Sequence, residues 1–156
     1  CGQFKDQLRS WPCAVPYRSI GKRDSISTMC TSPPDGKEGH FCSDAQVKTA
    51  LDGLEYHCRA ELTTIRDDLT MSEYKSWLMF IQEKDIYCFK DTDGEYCYSK
   101  FEPIDRCEGC ARITIKKRTE MQPLRSTAIA VGFYKEHMKE LRGVATSKCH
   151  IDLGQA

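Results

Sequence analysis

Cys107 and Cys110 bracket Glu108 and Gly109, and a C-x-x-C pair carries redox chemistry when one thiol has a lowered pKa. That needs an electropositive setting, usually a helix N-terminus, whereas Glu108 between the thiols raises their pKa. A thioredoxin-like reading also needs a βαβ frame, and no such pattern surrounds the pair. Structural zinc is the next chemistry these residue types allow. His40, His57 and His150 stand beside or near Cys42, Cys58 and Cys149. With Cys107 and Cys110 they offer Cys₃His or Cys₂His₂ sets. No second C-x-x-C or H-x-x-x-H matches the first pair, and adjacent His-Cys residues on a helix point apart. The cysteines are therefore expected to be structural, and no metal or cofactor is expected.

Other motifs are weaker. Asp91-Thr92-Asp93-Gly94 resembles the middle of a calcium loop, but the two anchoring positions hold Phe89 and Lys100, so a turn is expected. No G-x-S-x-G, H-E-x-x-H or P-loop is present, and no enzymatic activity is expected. Lys116-Lys117-Arg118 is a basic run able to dock an acidic partner. Lys22-Arg23 is a dibasic pair that secretory proteases could cut, although an exposed pair in a loop is the plainer reading.

The ten cysteines are Cys1, Cys13, Cys30, Cys42, Cys58, Cys88, Cys97, Cys107, Cys110 and Cys149. Their even number and spread along the chain imply five disulfides and an oxidising, extracellular compartment. Connectivity stays open among about 945 pairings. Equal numbers of basic and acidic residues, 23 each, argue against nucleic acid as a partner, which needs a basic excess. No apolar run is long enough for a transmembrane helix. The absence of an initiator Met and of a leader reads as a mature or trimmed chain. The chain has no Asn and hence no N-glycosylation acceptor.

The elements that must position these groups are mostly helical. Val47, Leu51, Leu54, Cys58, Leu62 and Ile65 recur at spacings of three and four, which predicts one long helix over 43–65. Ser43 with Gln46 forms a capping box at its start, and Thr70 with Glu73 marks a second. Tyr74, Trp77, Leu78 and Ile81 make the second stripe, and a few polar residues between the two predict a helical hairpin. Beside that stripe a broad buried face is the plainer reading for Met79 and Phe80, and exposure of Phe80 or Met79 as partner-binding candidates is the alternative. Residues 86–100 read as a β-hairpin or ordered loop, with Cys97 opposite either Cys88 or Lys90. Ile113 and Ile115 alternate with polar neighbours, which favours a strand, though helix also fits. A final helix is expected with Pro123 in its first turn, Leu124, Ala128, Val131, Met138 and Leu141 on its apolar face, and Gly143 at its end. Residues 1–42 look irregular, broken by Pro12, Pro16, Pro33 and Pro34.

The order Phe41-Cys42-Ser43, a helix with Cys58, Tyr74-x-x-Trp77, Cys88, Tyr96-Cys97 and Cys107-x-x-Cys110 resembles small secreted cysteine-rich proteins of fungi, some of which act on hosts as effectors. The resemblance covers residues 41–110, and less fully the tail to Cys149. It implies secretion and a helical disulfide-linked body, and it transfers no site residue.

The expected fold is mainly α: a disulfide-stapled bundle of a helical hairpin and a C-terminal helix, with a small β-hairpin or ordered loop. It forms a single domain over 1–156, in which an irregular 1–42 segment packs on a 43–149 helical body. Leu54, Cys58, Leu62, Tyr74, Trp77, Leu78, Ile81, Val131 and Leu141 are the expected core. The expected function is a secreted, non-enzymatic interaction protein, effector-like or acting at a cell surface, with a protein or cell-surface partner. Met79, Phe80, Lys116, Lys117 and Arg118 are the candidate contacts. The alternative is an extracellular carrier of a lipid or sterol, which needs a cavity among Leu54, Leu62, Trp77 and Val131. The sequence leaves the oligomeric state open.

Overall fold

A computed structural model describes residues 1–13, 23–97, 109–147 and 149. Eight helices lie among them and no strand: α1 Gly2–Arg9, α2 Arg23–Thr31, α3 Asp44–His57, α4 Arg59–Thr63, α5 Asp68–Leu78, α6 Phe80–Cys88, α7 Gly109–Thr119 and α8 Ala128–Ser147. The fold is thus mainly helical and disulfide-stapled, as the periodicities predict. Internal contacts divide it into two compact units, Cys1–Lys84 and Asp85–Ala156.

In the first unit, α3 starts where the capping box places it. The Ser43 hydroxyl accepts from the Gln46 N–H, and the Gln46 side chain accepts from the Ser43 N–H. The expected single helix over 43–65 is broken at Cys58, which leaves helical geometry at φ −114°, ψ 22° and bonds to Cys1. Leu62 stays buried in α4 beyond the break. The second cap also differs. Asp67, not Thr70, caps α5: its carboxylate accepts from the Thr70 N–H at 3.0 Å and hydroxyl at 2.6 Å. Asp67 is the residue just before the first turn, from which its carboxylate reaches the Thr70 N–H, whereas Thr70 lies inside that turn.

Within the segment expected to be irregular, two helices form among the described residues, α1 and α2. Leu8, Ile26 and Met29 are buried. Cys1–Cys58 and Cys13–Cys42 tie the segment down. Lys5 of α1 donates to the Thr70 hydroxyl at 3.0 Å, and Arg9 pairs with Glu73 at 3.3 Å.

Aromatic rings run through this core. Trp11 meets Trp77 edge-on at 5.8 Å, Trp77 stacks on Phe80 at 5.9 Å, and Phe80 meets Phe41 edge-on at 6.1 Å. Each such pair adds about 0.5–1.5 kcal/mol beyond its buried area. Leu54, Cys58, Leu62, Tyr74, Trp77 and Leu78 are buried as expected. Ile81 is only half-buried.

In the second unit, residues 89–97 form an ordered loop. Lys90 and Tyr96 make an isolated antiparallel bridge, and Cys97 N–H donates to Phe89 O at 3.1 Å. Cys97 therefore faces neither Cys88 nor Lys90. Asp91 Oδ1 accepts from the N–H groups of Asp93 and Glu95, at 2.9 and 3.1 Å, and Gly94 sits at φ 78°. Those bonds organise a five-residue connection, 91–95, between Lys90 and Tyr96.

The strand expected around Ile113 and Ile115 is the helix α7. Its buried residues are Ala111, Thr114, Ile115 and Thr119, a helical spacing partly carried by threonines. α7 packs on α8, and Ile115, Ala145 and Cys149 form a buried cluster. Helix α8 begins at Ala128, after Thr127 caps the Ala130 N–H. Pro123 lies before it, and Gly143 lies inside it rather than at its end.

Candidate functional site

The residues singled out for chemistry are mostly used for structure. Cys110 is bonded to Cys97, so it forms no redox pair with Cys107, which lies outside the described residues. Cys30, Cys88 and Cys149 are disulfide-bonded too, and no described cysteine is free. Two groups bring metal-ligating types together, Cys1, Cys58 and Glu61, and Asp91, Cys97 and Cys110. In both, the two sulfurs are joined to each other, so no thiolate is left to hold an ion. His150 and Lys22 also lie outside the described residues, and Arg23 opens α2.

Two carboxyls are held below the ordinary range, each by local hydrogen bonds. At Asp67 the Thr70 hydroxyl is the main cause, followed by the Thr70 N–H. At Asp35 it is the Lys37 N–H, followed by the bond to His40. One caps a helix and the other orders a turn.

The sequence-predicted contacts divide. Met79 and Phe80 are buried, 4% and 0% exposed, so they are core rather than surface. Phe80 is fixed there by Phe41 and Trp77. Lys116 and Lys117 are exposed and Arg118 is half-buried. The Lys117 ammonium lies 5.1 Å from the Phe89 ring centroid, so the run is partly engaged within its own unit.

A different surface has the form of a binding site. Along α8 lies a groove of about 530 Å³, open to solvent and mostly apolar. Val131, Tyr134 and Met138 supply its floor, and Pro123 forms a wall. The Leu124 N–H donates to the Tyr134 hydroxyl at 3.3 Å, which holds the segment before α8 against the helix. Val131 is 44% exposed and Leu124 56%. Lys135, Lys139 and Arg142 line the rim, and all three are exposed.

The groove exists because α8 has two apolar faces. Ala130, Phe133, Tyr134 and Ala145 face inward and are buried. Val131 and Met138 lie roughly a quarter turn away at 3.6 residues per turn. Val131 and Leu141, expected in the core, are exposed and half-buried respectively. The face expected from the sequence, Leu124, Ala128, Val131, Met138 and Leu141, shares no residue with the buried one.

The rim cations are like-charged neighbours on one helix. Lys135 and Lys139 are four apart, and Lys139 and Arg142 three apart, spacings at which like charges cost about 0.2–0.5 kcal/mol per pair. None of the three makes an ion pair among the described residues.

No protein-family model, curated protein or solved structure matches the chain.

Proposed function

We propose that the chain is an extracellular, non-enzymatic interaction protein that docks a partner macromolecule along the α8 groove. The observation that carries this is an apolar groove along α8, its floor exposed at Val131 and half-buried at Met138, bordered by three exposed cations that make no ion pair among the described residues. A mostly apolar concavity with a few charged groups at its edge is the form that binding sites take. The disulfides suit an oxidising compartment, and no helix among the described residues is long and apolar enough to cross a membrane. The effector-like or cell-surface role implied by the cysteine order belongs to this proposal.

A second reading is a carrier of a lipid or sterol, favoured by the groove volume, which falls within the roughly 300–1,000 Å³ of ligand pockets. Leu54, Leu62 and Trp77, expected to line such a cavity, are instead buried in the first unit. Small-ligand sites bury most of the ligand, whereas this groove is open along its side, so the docking reading is preferred.

The test compares native protein with Val131→Gln/Met138→Gln in affinity capture from extracellular fluid. A captured protein that is then purified and rebinds the native chain, but binds the variant weakly, supports the proposal. Rebinding that is equal for both chains removes the groove as the site. A stoichiometric lipid or sterol in an organic extract of native protein favours the carrier.

A further inference from the structure

We infer, on the basis of the docking reading above, that the groove takes an acidic amphipathic helix: an apolar stripe flanked by a row of Asp or Glu side chains. The floor residues Val131, Tyr134 and Met138 recur at spacings of three and four, so the groove runs along α8. A second helix laid beside it presents apolar residues at the same spacings, which is the helix-in-groove mode of recognition.

The rim selects the charge. Lys135, Lys139 and Arg142 extend over seven residues of helix, about 10 Å at 1.5 Å per residue. On an approaching helix, carboxylates placed at i, i+4 and i+7 would match that row. Helical spacing within α8 offers this row one carboxylate, Glu136, three residues before Lys139, whereas the residues three and four away from Lys135 and Arg142 are Val131, Gly132, Met138, Lys139, Ala145 and Thr146. A line of carboxylates would relieve this repulsion on binding. A fatty acid carries one carboxylate at one end, so it neutralises one cation of the row. Net charge does not reveal the feature, because the 23 basic and 23 acidic residues cancel over the whole chain.

The experiment uses the disulfide-intact full chain and three fluorescent probes, read by anisotropy. The first is a helix-forming peptide with a Leu stripe flanked by Glu. The second has the same stripe flanked by Lys, and the third is a labelled long-chain fatty acid. The protein variants are Lys135→Glu/Lys139→Glu/Arg142→Glu and Val131→Gln, with folding checked by circular dichroism. All four substituted side chains are exposed.

The Glu peptide is expected to bind and to weaken as salt rises. The triple charge reversal should weaken it by about tenfold or more and make the Lys peptide the preferred ligand. Failure of the Glu peptide to bind overturns the inference. Equal binding of both peptides, lost together in Val131→Gln, also overturns it while leaving the groove as a docking site. Fatty-acid binding that excludes the Glu peptide overturns both the inference and the docking reading.

Discussion

The ring of Phe4 occupies the space that a side chain on Gly53 would take. α1 thus lies against α3 at a point where α3 has no Cβ, and the same ring stacks on His57 at 5.1 Å. Alanine at Gly53 gains about 1 kcal/mol of helix propensity, but Phe4 must leave its seat, and overpacking costs typically 1–3 kcal/mol. Gly53→Ala is therefore expected to destabilise native protein and to stabilise a Phe4→Ala background. Denaturant unfolding of the four chains checks the change of sign. The same sign in both backgrounds means that the ring moves away freely.

Trp77 is fully buried between Trp11 and Phe80. Trp77→Ala should cost about 3–5 kcal/mol. Its indole N–H is buried with no partner among the described residues, so Trp77→Phe removes a donor that gains nothing from burial. The Phe variant should lose much less than the Ala variant in thermal unfolding. Equal losses would mean that the indole nitrogen contributes.

Alkylation of native protein without reductant should label none of the ten cysteines, and peptide mapping should recover Cys97 linked to Cys110. A Cys107–Cys110 link, or zinc in stoichiometric amount, would contradict this. Replacing Cys1 and Cys58 by Ser opens a bond between residues 57 apart and should cost roughly 2–5 kcal/mol.

Asp67 gives a pH dependence of known sign. Its carboxyl is held below the ordinary 3.8, chiefly by the Thr70 hydroxyl. A depressed carboxyl stabilises the folded state above its unfolded value, and that contribution is lost as pH falls through the folded value. Asp67→Asn keeps a capping oxygen without the titration. Its stability should fall less steeply than native below about pH 4. Parallel acid limbs for the two proteins would show that Asp67 adds nothing there.

What could be read in advance was set by local chemistry. The Ser43–Gln46 box and the turn at Asp91–Gly94 are decided within a few residues; the box appears where expected, and the turn closes one residue later, at Glu95. The buried stripes through Leu54 and Trp77 are dense enough to dominate their windows. Helix α7 was hidden because Thr114 and Thr119 do half the work of its inner face. The break at Cys58 was hidden because the stripe continues to Leu62, while the bond to Cys1 is set by distant chain. Met79 and Phe80 join the buried face, as its breadth suggests, although helix geometry changes at Met79, φ −91° and ψ −1°, between α5 and α6. The groove was hidden for a different reason, since periodicity detects apolar residues without saying which face meets another helix.

The Cys1–Cys58 and Cys13–Cys42 bonds are nested, one span lying wholly inside the other. Either loop can close without the chain being threaded through the other. Once Cys13 and Cys42 are joined, the covalent path from Cys1 to Cys58 is roughly halved, which lowers the entropic cost of the second closure by about 0.6 kcal/mol. Oxidative folding of the first unit thus has a preferred sequence, small ring before large, built into the spacing of four residues.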